Sequence, residues 1–119
     1  MFITAKERIG TCYLEFQYCK NNNPIKHKKI NINAIEHWKE DSLLITDDNF
    51  YKLYSGVFDC ALLGNGEIGF DFCGVNYYSK ESTEKILQKL KATDNKNEGL
   101  IIWLEKAIKE ANGFYILGI

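Results

Sequence analysis

The sequence predicts an α+β fold: a mainly antiparallel sheet of five to six strands with two longer helices packed on one face, in one domain spanning residues 1–119. Three observations predict it. Apolar and polar residues alternate with period two between Thr11 and Cys19. Gly64-Asn65-Gly66 separates two apolar runs, Val57–Leu63 and Glu67–Cys73, as a hairpin turn would. Two stripes of helical period fill the last third of the chain, and an apolar run follows them to Ile119. Runs of strands followed by helices favour α+β over an alternating α/β order.

Taken in order, Met1–Ala5 reads as a short edge strand. In Thr11–Cys19 the residues Cys12, Leu14, Phe16 and Tyr18 share one face, and Tyr13, Glu15, Gln17 and Cys19 the other, which predicts a half-buried strand. Asn21-Asn22-Asn23-Pro24 is a turn cluster, and His27–Ile32 alternates again as the return strand of a hairpin. Asn33 caps a short helix over Ala34–Glu40, with Ile35 and Trp38 on one side. Ser42–Ile45 is a short strand. Thr46 or Asp47 caps a second short helix running through Tyr54, with Phe50, Leu53 and Tyr54 inward and Gly56 ending it.

The central hairpin comes next, its Asn and Gly residues supplying the positive φ that tight turns require. Ser79 caps a helix over Lys80–Lys91, with Thr83, Ile86, Leu87 and Leu90 as its buried stripe. Glu98–Ala111 is the strongest helix, buried through Ile101, Leu104, Ile108 and Ala111, and stopped by Asn112-Gly113. Phe114–Ile119 is a last strand tucked into the sheet.

Composition narrows the function classes. A formal charge of -1 over 119 residues excludes a molecule that is basic as a whole. No apolar run approaches the roughly 20 residues of a membrane-spanning helix. Met1-Phe2-Ile3-Thr4-Ala5 leads straight into Lys6, Glu7 and Arg8, so no secretion leader is expected. Cys12, Cys19, Cys60 and Cys73 contain no C-x-x-C pair and read as reduced thiols of a cytoplasmic protein.

Charge counted by segment is more informative. Residues 1–35 carry six basic and two acidic groups, and residues 72–119 are close to neutral. Residues 36–71 hold Glu36, Glu40, Asp41, Asp47, Asp48, Asp59, Glu67 and Asp71 against Lys39 and Lys52, a net -6. Interleaved with Trp38, Tyr51 and Tyr54, this acidic third suits a basic partner, the carboxylates steering and the rings anchoring. Glu40, Asp41, Asp47 and Asp48 are the expected charged contacts; solvated loop acids and helix caps are the bland alternative.

Other chemistry is weaker. Asp47-Asp48-Asn49 with Asp59 and Asp71 offers oxygen ligands but no EF-hand spacing, and His27 and His37 have no zinc spacing, so no metal and no cofactor are expected. An enzyme would need Cys73 as nucleophile with His37 as base, while apolar runs around Cys60 and Cys73 favour packing roles. Lys26-His27-Lys28-Lys29 is a short basic run that a nucleic-acid-binding regulator would use, and a solvated strand edge explains it as well. Gly64-x-Gly66-x-x-Gly69 matches a dinucleotide fingerprint only as text, because it lies in a hairpin and opens no helix. No catalytic residue is assigned.

With its small size, cytoplasmic cysteine usage, missing catalytic motif, acidic aromatic-bearing middle third and the block GFDFCGVNYYS (Gly69–Ser79), the chain resembles the small bacterial immunity proteins of toxin–immunity systems. The resemblance is one of class. It implies a stoichiometric inhibitor that covers a cognate protein toxin, often a nuclease, and performs no chemistry of its own.

Overall fold

A computed structural model describes residues 1–20, 35–93 and 96–119. The expected hairpin strand His27–Ile32, its turn Asn21–Pro24 and the basic run Lys26–Lys29 fall outside the described residues. The architecture is the α+β arrangement that the patterning predicts. One six-stranded antiparallel sheet is built from β1 (Leu14–Tyr18), β2 (Leu43–Ile45), β3 (Ala61–Leu63), β4 (Ile68–Gly69), β5 (Val75–Tyr78) and β6 (Phe114–Leu117). Its spatial order is β2-β1-β6-β5-β3-β4. Three helices pack against it: α1 (Asp47–Tyr54), α2 (Lys80–Lys91) and α3 (Glu98–Glu110).

The two long helices form where their caps and stripes place them. Ser79 accepts from Ser82 N–H at 3.1 Å to start α2, and Asn97 accepts from Leu100 N–H at 3.0 Å to start α3. Thr83, Ile86, Leu87 and Leu90 of α2 are all buried. So are Leu100, Ile101, Trp103, Leu104 and Ala107 of α3; Ile108, expected inside, is only half-buried at the core's margin. Gly113 ends the helix at φ +81°, and a Cβ there would stand 1.9 Å from the Tyr78 carbonyl oxygen, so only glycine fits between α3 and β5.

The final strand does tuck in: β6 lies between β1 and β5, pairing Phe16 with Ile116 and Asn76 with Ile116 across the centre of the sheet. The main core fills the helix-bearing face around Phe16, which meets Phe58 edge-on at 5.3 Å and stacks with Phe114 at 5.9 Å.

Several expectations need correcting. The central hairpin is shorter than its apolar runs, pairing only Ala61–Leu63 with Ile68–Gly69. Gly66 at φ +88° closes its turn, but Phe58 leaves the strand line to plug the core, its carbonyl taking the Tyr78 hydroxyl. Met1–Ala5 contributes one bridge, Ile3 with Leu44, and then a single 3₁₀ turn at Ala5–Glu7. Leu53 of α1 points outward at 40% exposure, not inward. Residues 35–40 are not helical, and Trp38 has a φ of +65°. Strand β1 is buried on both faces, since Glu15, Gln17 and Cys19 are as enclosed as Leu14, Phe16 and Tyr18. The second face carries a smaller core of Cys19, Val75, Tyr77, Tyr115 and Leu117, with Ile35 and Leu62 packed on it.

Candidate functional site

Strand β2 is an edge of the sheet, and it divides the acidic middle third into two sites. Glu40 and Asp41 precede it; Asp47 and Asp48 follow it as the first residues of α1. An extended chain rises about 3.3 Å per residue, so Ser42–Thr46 alone keeps the two acid pairs on the order of 13 Å apart. That exceeds the roughly 8 Å screening length at physiological salt, so they do not act as one cluster.

The end before β2 is organised by Glu15, whose side chain is 0% exposed. It projects from β1 onto the second face, level with Leu117 and Val75 across the sheet. Its Oε1 accepts from the Trp38 N–H at 2.8 Å and lies 3.3 Å from His37 Nδ1. Its Oε2 accepts from the Lys39 N–H at 3.0 Å, the Ser42 hydroxyl at 2.6 Å and the Gln17 amide at 3.1 Å. Gln17 also donates to the Glu36 carbonyl at 2.8 Å. These donors replace the water that a buried carboxylate loses. They also explain the missing helix: the amides of Trp38 and Lys39 converge on a partner 23 and 24 residues away instead of on carbonyls one turn back.

Around this cage the charges are largely met. Asp41 pairs with Lys20 at 2.8 Å, and its carbonyl accepts the Trp103 indole N–H at 2.8 Å. Glu36 pairs with Lys39 at 3.1 Å. Glu40 shares a shallow hollow with Asp41, Thr4 and Lys6. The Arg8 guanidinium lies over the Trp38 ring, 4.6 Å from its centroid, and the His37 ring is 5.3 Å from it.

The end after β2 is different. Thr46 caps α1 by accepting from Asn49 N–H, and Asp47 accepts from Asp48 N–H at 2.9 Å. Both acids are exposed, and among the described residues neither is in an ion pair. Three and four residues on, Tyr51 shares their helical face, is 54% exposed and stacks on Phe72 at 4.4 Å. The preceding Asp71 is held by the buried Asn76, which accepts from the Asp71 N–H at 2.7 Å and donates to the Asp71 and Ile116 carbonyls, while the Phe72 carbonyl accepts from the Ile119 N–H at 2.9 Å. Tyr54 does not belong to this surface: at 7% exposure it packs between Phe2, Phe50 and Phe58.

The Cys73–His37 pairing is not assembled. His37 Nδ1 faces Glu15, while Cys73 lies in the turn after β4 with its N–H on Asp71 Oδ1; among the described residues no hydrogen bond joins the two. Cys73 is exposed, contrary to the packing role expected of it, because β4 ends at Gly69. Cys60 is half-buried, and burial pushes its thiol up. Among the described residues no group of three or more His, Cys, Asp or Glu is placed to hold a metal, and no helix is long and apolar enough to cross a membrane.

Sequence reasoning missed Glu15, Gln17, Ser42 and Asn76. The available signal was a carboxylate inside an otherwise apolar alternating strand, which demands partners if the strand is buried on both faces. No family model, curated protein or solved structure matches the chain.

Proposed function

We propose that this protein is a stoichiometric binder that neutralises a basic protein toxin made by the same or a neighbouring bacterial cell. The observation that carries the reading is the surface of α1, where the exposed Asp47 and Asp48, neither in an ion pair among the described residues, stand beside the exposed, stacked ring of Tyr51. Solvent-exposed carboxylates project field into solvent and steer a cationic partner. A tyrosine already stacked on Phe72 loses little side-chain freedom on binding, which favours it as an anchor. The class resemblance to immunity proteins supplies the toxin. A nuclease toxin offers a cationic groove for phosphates, and an acidic inhibitor competes for that groove.

The test is co-expression with the C-terminal domain of a secreted toxin encoded by the adjacent gene. The expected result is a one-to-one complex that survives purification and restores growth to cells poisoned by the domain. Growth arrest unrelieved by this protein, with no complex recovered, rejects the reading.

A further inference from the structure

We propose that Asn65 is a site of uncatalysed modification: in the folded protein its side-chain amide is lost to give aspartate and isoaspartate, while Asn112, the other asparagine that precedes a glycine, is protected. The proposal goes beyond the toxin-binding reading and does not depend on it.

The nucleophile is the amide nitrogen of the following glycine. Once hydroxide has taken its proton, that nitrogen attacks the asparagine Cγ. The N–Cγ bond forms, the Cγ–Nδ2 bond breaks, and the side-chain amide leaves as ammonia. A five-membered cyclic imide results. Water then opens it at either carbonyl. One opening gives aspartate; the other gives isoaspartate, in which the main chain runs through Cβ. Glycine favours the attack, because no Cβ crowds the nitrogen and the backbone turns freely to bring it to Cγ. Residues 65–66 and 112–113 are the two Asn-Gly pairs of the chain.

In both pairs the glycine N–H is engaged, that of Gly66 by the Leu63 carbonyl at 2.9 Å and that of Gly113 by the Ala107 carbonyl at 3.2 Å. Attack therefore waits for a local opening, and the two segments differ in what an opening must break. Around Asn112, its N–H donates to the Cys19 carbonyl at 2.9 Å and its carbonyl accepts the Tyr77 hydroxyl at 2.7 Å. Gly113 is buried, and its carbonyl accepts from the Cys19 N–H at 3.1 Å. Freeing this pair parts the end of α3 from strands at the centre of the sheet. Asn65 is exposed at the tip of the β3–β4 hairpin, and β4 is an edge strand. The hairpin register joins only Ala61 with Gly69 and Leu62 with Ile68, and one more backbone bond runs from Leu63 to Glu67. Asn65 Oδ1 accepts from the Glu67 N–H at 3.0 Å, a bond within the turn itself. Ile68 is already 69% exposed, so lifting the tip uncovers little apolar surface.

The test holds the whole folded protein in mildly alkaline buffer and follows the amide-to-acid mass gain at each asparagine by tandem mass spectrometry. Asn65 is expected to react about 100-fold faster than Asn112. In urea, where neither segment is held, the two rates are expected to agree within about 3-fold. Equal rates in the folded protein, or no gain at Asn65, overturn the proposal. A rate difference that persists in urea would belong to the neighbouring residues, and it overturns the role given to the fold. Hydrogen exchange of the unmodified protein checks the cause: the Gly66 amide is expected to exchange about 100-fold faster than that of Gly113. Equal protection of the two amides overturns hairpin opening as the route.

Discussion

The two ends of β2 carry acids of the same kind in different physical states. Before the strand, a buried carboxylate organises the backbone, and two of the surface acids around it, Asp41 and Glu36, are paired with Lys20 and Lys39. After the strand, Asp47 and Asp48 do no more locally than occupy the first turn of α1, where the helix dipole favours negative charge. The first end is built and nearly neutral. The second is simple, and among the described residues Asp47 and Asp48 have no ion-pair partner. Net charge by segment hides this difference, because it counts a carboxylate equally whether it shapes a loop or faces a partner.

The comparison can be broken by substitution, and the largest effect is expected at Glu15. Glu15→Ala leaves the amides of Trp38 and Lys39, the Ser42 hydroxyl and the Gln17 amide without their acceptor. A loss of about 3–5 kcal/mol in urea unfolding is expected, as for other broken buried charge networks. A loss under about 1 kcal/mol, near the net worth of one neutral hydrogen bond, would mean that water replaces the carboxylate and that the cage is not tight.

Ser42→Ala is a finer probe, since its hydroxyl donates to Glu15 at 2.6 Å. Removing one hydrogen bond to a charged group should cost about 1.5–3 kcal/mol in the same measurement. Smallest is Asp47→Asn with Asp48→Asn, which removes charge from the α1 terminus while Thr46 keeps the cap. Each change should cost at most about 1 kcal/mol, and the cost should shrink further in high salt. A loss as large as that of Glu15→Ala would erase the distinction between the two ends.

Much of the fold was legible in the chain because local and global preferences agree there. Ser79 and Asn97 cap helices whose apolar stripes then face the core, and Gly66 and Gly113 stand where positive φ is needed. The loop at 35–40 was not legible, because Asn33, Ile35 and Trp38 satisfy the local rules for a helix while a distant carboxylate overrides them. The same partner explains why β1 looked half-buried: alternation marks polarity, and Glu15 and Gln17 remain polar while enclosed with their partners. The central arms were overextended because Phe58 and Phe72 fit a strand pattern, yet one plugs the core and the other stacks on Tyr51. Asp47, Asp48 and Tyr51 were chosen from charge and aromatic content, and all three are exposed on α1. Tyr54 was read both as an inward residue of α1 and as a partner contact; it is buried, so the inward reading holds and the contact does not.

The central claim is that the exposed acidic pair on α1, Asp47 and Asp48, steers a cationic toxin. Its most direct test is the association rate of this protein with the toxin domain by stopped flow, measured over a range of sodium chloride concentrations. The wild-type rate is expected to fall steeply as salt rises. Asp47→Lys with Asp48→Lys is expected to lower the low-salt rate by about 10-fold or more and to flatten the salt dependence. The same rate and the same salt slope in the wild type and the reversed protein would contradict the account.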